Sequence, residues 1–151
     1  MEDIEIKEVT TYSHDLAERI RELVHMIGKN HKELTDDDLR EILASQTTTL
    51  FIAQDKKTNK IAGMATLIVY RIPYVRKAYF DDLVVDDAFR GLGIGSALIK
   101  KVIESAIEKK AAYIDFTSRP RREESNHLYE KFGFQKRNAN VYRCIIDYGE
   151  V

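Results

Sequence analysis

The chain has 151 residues, 44% of them hydrophobic, with 24 basic against 25 acidic side chains and one cysteine, Cys144. That length implies a single domain, 1-151, with a core large enough to need no staple, and one cysteine excludes a disulfide framework within the chain. The near-zero net charge argues against a broad basic footprint for nucleic acid, no Cys/His spacing suggests zinc, and no apolar run approaches the roughly 20 residues that span a bilayer.

The first ten residues, MEDIEIKEVT, are acidic and alternating, which suits a strand from Ile4 to Val9 and not a signal peptide. A soluble, cytoplasmic protein is therefore expected. From Asp15 to about Gly28, the residues Leu16, Ile20, Leu23, Val24 and Ile27 recur at helical spacing. A short second helix starts at Thr35, with Leu39, Ile42 and Leu43 on one face. The acid run Asp36, Asp37, Asp38 reads as a helix start and not as a metal site. Thr35 and Asp38 stand at capping-box spacing, and acids in a first turn favour the helix dipole.

Two strands are expected at Leu50 to Ala53 and Ile61 to Tyr70, and a third at Tyr79 to Val85 beyond the loop around Pro73. Leu92 to Lys109 is the clearest helix and Ala112 to Thr117 the strand that follows it, a crossover joining parallel strands. A helix from about Arg122 to Phe132 stops at Gly133, and Phe134 to Lys136 and Val141 to Tyr148 close the chain as strands. Apolar groups on both faces of that last segment suggest burial against another element or a second subunit, so a homodimer is plausible. Cys144 reads there as a small hydrophobe.

The stretch richest in chemistry is Leu83-Val-Val-Asp-Asp-Ala-Phe-Arg-Gly-Leu-Gly-Ile-Gly-Ser96. Three glycines at alternate positions precede a strong helix. Glycine tolerates φ > 0 and close approach to the main chain, and the first amides of a helix point unpartnered toward one spot. With the dipole behind them they suit a phosphate or pyrophosphate. The dinucleotide pattern fails, because Ser96 stands where its third glycine or alanine is needed, and no P-loop sequence is present.

Arg90-x-x-Gly93-x-Gly95 directly after a Leu-Val-Val strand resembles the acyl-CoA-binding motif of the GNAT superfamily of N-acetyltransferases. Downstream, Asn126-His-Leu-Tyr-Glu-Lys-Phe-Gly-Phe134 is similar to that family's N-x-x-[AL]-x-x-[LF]-Y-x-K-x-G-F helix, slightly shortened. The resemblance implies an α/β fold, a mixed central sheet of six to seven strands flanked by about four helices. It also implies acetyl-CoA as co-substrate and an amine-bearing acceptor. By the same resemblance, Leu83, Val84 and Val85 would hydrogen-bond the pantetheine arm through main-chain groups. Arg90, Gly91, Leu92, Gly93, Ile94, Gly95 and Ser96 would hold the pyrophosphate, and Asn126 would contact the pantetheine. Tyr129 corresponds to the tyrosine near the thioester sulfur that serves as general acid. The acceptor site would be built from Ile27 to Lys32, Tyr70 to Tyr79 and Asn138 to Tyr142.

Amine acetylation requires a proton acceptor for the attacking amine and benefits from a donor to the departing thiolate. Asn126 and Tyr129 are three apart and share a helix face. Tyr129 reads either as the acid or as an aromatic anchor of its helix. For the base, Asp81 and Asp82 are the candidates. Strict alternation would put Asp81 with Tyr79 and Leu83 on one face, and Asp82 with Phe80 and Val84 on the other. An acid two residues before the leucine is frequent in the family, which nominates Asp81; the other reading is that Asp81 binds the substrate cation or braces a loop. Arg119, Arg121 and Arg122 read equally as phosphate contacts or as a solvated turn. A non-catalytic acyl-CoA-binding or regulatory module on the same fold is the alternative function.

Overall fold

The computed structural model describes residues 2–28 and 31–146, and the chain falls into two compact units, 1–119 and 120–151. The first unit is built on one five-stranded sheet, β1 (Ile4–Glu8), β2 (Thr48–Asp55), β3 (Ile61–Ile72), β4 (Val75–Val85) and β5 (Ile114–Asp115), lying side by side in chain order. All neighbours are antiparallel except β4 and β5. Those two are joined by a helical crossover, as the strand-helix-strand pattern predicts. The loop at Pro73 is a tight hairpin turn, with Ile72 already paired to Val75, so β3 and β4 are longer than their apolar cores suggest.

Three helices belong to this unit: α1 (His14–Ile27), α2 (Asp36–Ala44) and α3 (Ile94–Glu108). They divide between the two sheet faces according to strand parity. Leu50, Ile52, Met64 and Val84 join Leu16, Ala17, Ile20 and Leu23 of α1 and Leu39 of α2 in one buried cluster. The alternate positions of β2 and β3, Thr49, Phe51, Ala53, Ala65 and Leu67, are also buried, on the face toward α3. There Lys109, at the C-cap of α3, donates to Thr49.

The acid run behaves as the helix start that the sequence predicts. Thr35 Oγ1 accepts from Asp38 N at 3.0 Å while Asp38 Oδ2 accepts from Thr35 N at 2.8 Å, which completes the capping box. Asp36 turns instead to α1 and the residues just before it, where Tyr12, His14 and Arg21 converge on it. Thr35→Ala is expected to cost about 1 kcal/mol, a fall of roughly 2–4 °C in the thermal midpoint by calorimetry.

The second unit contains α4 (Glu123–Lys131). Its C-terminus is a Schellman motif: Gly133, at φ 85, donates to Glu130 O at 3.0 Å, and Phe134 N reaches back to Tyr129 O at 3.2 Å. Glycine is needed at this left-handed position.

Two expectations change. The sheet has five strands among the described residues, not six to seven, because neither Phe134 to Lys136 nor 141–146 forms a ladder; Asp147 and Tyr148 lie outside the described residues. A strand exists only through a partner, and apolar alternation does not supply one. Cys144 and its neighbours are accordingly exposed and not packed as a core strand would be, with Tyr142 at 86% and Ile145 at 84%. Among the described residues, no helix is long and apolar enough to cross a membrane.

Candidate active site

The site in the first unit begins with an irregularity in β4. Phe80 pairs with Leu67 and Asp81 with Thr66, but Val84 pairs with Met64, so Asp82 and Leu83 oppose the single residue Ala65. Such a bulge reverses strand parity. Phe80, opposite Leu67, therefore faces α3, while Val84, opposite Met64, joins the cluster under α1 and α2. The strict alternation expected from the sequence does not survive this point. The extra residue is absorbed at Asp82, whose φ of 54° is rare for a residue with a side chain.

Asp81 and Asp82 are both solvent-accessible, and Asp81 Oδ1 accepts the Asp82 N–H at 2.9 Å. The Asp82 carboxyl titrates above the ordinary carboxylate range. Desolvation is the first cause and the Asp81 charge the second, while the nearby His31 pulls it back down. Water reaches this residue, which moderates the effect without changing its direction. His31, within the Ile27 to Lys32 segment expected to bind the acceptor, stacks obliquely on His25, ring centroids 5.2 Å apart. Lys29 and Asn30 of that segment lie outside the described residues.

Strand β5 pairs with β4 only at Ala78 and Tyr79, so at Val84 and Val85 the ladder runs to β3 alone among the described residues, with Leu83 in the bulge just before them. This leaves one side of their main chain available to an extended ligand. Asp86 then opens a 3-10 turn, Asp87–Phe89, by accepting the Ala88 N–H on Oδ1 at 2.9 Å. Gly91 and Gly93 follow at φ 77 and 76, which explains why glycine occupies both positions. Gly93 is the N-cap of α3 and offers no side-chain cap. The first helical bond is Ala97 N to Gly93 O, and no acceptor among the described residues meets the N–H groups of Ile94, Gly95 or Ser96. Arg90, at the edge of this cradle, pairs with Asp87 at 2.8 Å on the surface. A cluster of orphan donors at a helix N-terminus, with the two acids of the loop, Asp86 and Asp87, each paired to an arginine, fits the diphosphate of a coenzyme.

In the second unit, Asn126 and Tyr129 lie on α4, and Asn126 Nδ2 donates to Pro120 O at 3.5 Å. Tyr129 is fixed twice by Phe134, through the main-chain bond of the Schellman motif and through an edge-on ring contact at 6.2 Å. That pairing of the third-last helical residue with the residue after the glycine is the hydrophobic contact that usually accompanies the motif.

The family model for the acetyltransferase (GNAT) family matches residues 14–134, most of the chain and residues of both units. The chain belongs to the GNAT family. Among its relatives is the Bacillus subtilis (strain 168) protein named "Putative phosphinothricin acetyltransferase YwnH", 27% identical over 132 residues, covering 83% of this chain and 75% of that one. Glucosamine 6-phosphate N-acetyltransferase 1 of Oryza sativa subsp. japonica is 26% identical over 96 residues, covering 61% of this chain and 56% of that one. Among solved structures, an aminoglycoside N-acetyltransferase in complex with CoA superposes with a TM-score of 0.75, at 18% identity over 94% of each chain. The α/β GNAT fold expected from the two motifs is therefore the fold observed.

For this GNAT chain, sequence reasoning missed three residues. Asp86 and Arg19 are paired across 67 positions, which no local pattern can reveal. Gly63, inside β3, sits where a Cβ would lie 2.7 Å from the Val84 carbonyl oxygen. A glycine within a strand pattern is a known sign of close backbone approach, so Gly63 could have been found.

Proposed function

We propose that this protein is an acetyl-CoA-dependent N-acetyltransferase acting on a primary amine by direct attack in a ternary complex. The observation that carries the reading is the pair of left-handed glycines that opens α3 beneath unpartnered amides, directly after a strand whose main chain is free on one side. Acetyl-CoA supplies the acetyl group as a thioester, so the amine nitrogen gains a C–N bond as the C–S bond breaks. The N–H groups from Gly91 to Ser96 hold the diphosphate, and the main chain of Leu83, Val84 and Val85, with Asn126, holds the pantetheine arm. The amine proton passes to the Asp81–Asp82 pair. Asp81 is the residue the family resemblance nominates, and Asp82 the one whose environment favours the neutral acid and so makes it the better proton acceptor. Tyr129 is the acid of this reading: its phenolic O–H hydrogen-bonds the departing sulfur and stabilises the negative charge that develops there.

The family match across 14–134 supports one functional domain over 1-151. The names of the two relatives support an amine acceptor. Exposed Val141, Tyr142, Ile145 and Ile146 support a homodimer, and the composition supports a cytoplasmic protein.

Thermal unfolding with acetyl-CoA, CoA, NAD and ATP tests the cofactor. At 100 times its dissociation constant a ligand adds about 2.7 kcal/mol, roughly 5–11 °C at this size. Shifts with acetyl-CoA and CoA alone are expected, followed by amine-dependent thiol release. A shift with a nucleotide and neither coenzyme overturns the proposal, and CoA binding with no thiol release for any amine marks a binding module.

A further inference from the structure

The glycine loop does not stand by itself. Asp86, where it departs from β4, is buried, and every polar atom of that residue is engaged. Its N–H donates to Ala62 O at 2.8 Å, its carbonyl accepts from Phe89 N at 2.8 Å, and Oδ1 accepts from Ala88 N. Oδ2 accepts from Arg19 of α1, with Lys60 Nζ at 3.8 Å as a second cation. Arg19 is largely buried, and its remaining donors go to Ile61 O, from Nε at 2.9 Å and Nη2 at 2.7 Å, and to Glu22 at 2.5 Å. Lys60 also stands 5.7 Å above the Phe89 ring, at the far end of the 3-10 turn. One carboxylate thus ties the first turn of the loop to α1 and to the start of β3. The Arg19 bond favours the charged form of that carboxylate and lowers its pKa below the ordinary range.

A buried ion pair is a poor source of net stability, because desolvation offsets most of the attraction. A hydrophobic pair would fill this place at least as well. What the pair provides is direction: a planar guanidinium with two fixed bonds to Ile61 O leaves one orientation for the carboxylate, and the carboxylate leaves one for the turn. We propose that Asp86, held by Arg19, is a positioning residue that presets the glycine loop for the phosphates of the coenzyme. This rests on the reading of that loop as the CoA site. Without the tie the loop must be ordered by its ligand, and apparent affinity falls in proportion to the competent fraction.

Asp86→Asn keeps an acceptor for the Ala88 N–H and loses the charge that fixes Arg19. The double variant Arg19→Met/Asp86→Asn removes both enclosed charges, leaves their outer partners Glu22 and Lys60 in contact with solvent, and serves if the single variant unfolds. CoA binding is measured by calorimetry, with KM for acetyl-CoA and kcat at saturation alongside. Either variant, folded, is expected to bind CoA about tenfold more weakly, with KM for acetyl-CoA rising in step and kcat within about twofold of wild type, as for a loop competent about one-tenth of the time. If wild type binds CoA and both folded variants bind it equally well, the positioning role is overturned, even if their melting temperatures fall. If wild type itself does not bind CoA, the failure belongs to the assignment of the site.

Discussion

Replacing Asp81 and Asp82 together by asparagine is expected to lower kcat/KM by about 10²–10⁴-fold while CoA affinity stays within about twofold, because the variant removes a proton acceptor and leaves the glycine loop intact. The single variants separate the two acids. With Asp82 titrating above the ordinary carboxylate range, kcat/KM in wild type climbs with pH through that raised value, since only the ionised form accepts a proton. Asp82→Asn should remove this acid limb together with most of the activity. Asp81→Asn removes the like charge that helps to raise Asp82, so its acid limb should move to lower pH with activity largely kept. Stability supplies the control. A carboxyl whose folded-state pKa is raised contributes stability while protonated and loses it as pH rises through that pKa, so at pH 7 the ionised Asp82 opposes folding. Asp82→Asn should therefore melt no lower than wild type at pH 7. A full loss of activity in Asp81→Asn, with an unaltered profile in Asp82→Asn, would transfer the role to Asp81.

Features whose physics is local could be read directly from the sequence. The capping box at Thr35 and Asp38, the left-handed glycines 91 and 93 and the Schellman glycine 133 each depend on a few consecutive residues, and a backbone at positive φ almost dictates its residue type. The crossover from β4 through α3 to β5 was legible because strand and helix periods switch abruptly there. The bulge was not. Its one-residue offset is a relation between β3 and β4, and nothing within Tyr79 to Val85 states which residue of β3 will be skipped. Period-2 reasoning therefore carried the alternation straight through Asp82, where the structure breaks it: Asp81 is still paired with Thr66, and Asp82 and Leu83 share the offset. The closing strands failed for a related reason, since alternation at 141–146 records a tendency and not a partner. Asp86 has no role assigned from the sequence, although Asp-x-Ala at a turn is a recognisable side-chain cap. Its second bond, to Arg19, belongs to tertiary structure alone.

A close backbone approach in the sheet makes a second large prediction. Gly63 of β3 faces Val85 across the ladder, and a Cβ there would lie 2.7 Å from the Val84 carbonyl oxygen, 3.3 Å from Val85 Cα and 3.4 Å from Leu98 Cδ1. The first two are backbone atoms, which yield only if β4 moves. Gly63→Ala should therefore cost about 1–3 kcal/mol. Leu98, fully enclosed on α3, should cost about 2–5 kcal/mol when cut to alanine, and so lower the thermal midpoint by roughly 4–20 °C. The double variant identifies the obstruction. If the main chain of β4 resists the new methyl group, removing the Leu98 side chain brings no relief, and the two losses add to within about 0.5 kcal/mol. Rescue of Gly63→Ala by Leu98→Ala would instead place the conflict at the helix. A functional consequence separates the two sites as well. The carbonyl that must shift belongs to Val84, in the strand proposed to hold the pantetheine arm, so Gly63→Ala should weaken CoA binding by a larger factor than its stability loss alone would suggest. Close packing of β3 on β4 is then part of how the coenzyme strand keeps its shape beyond the bulge.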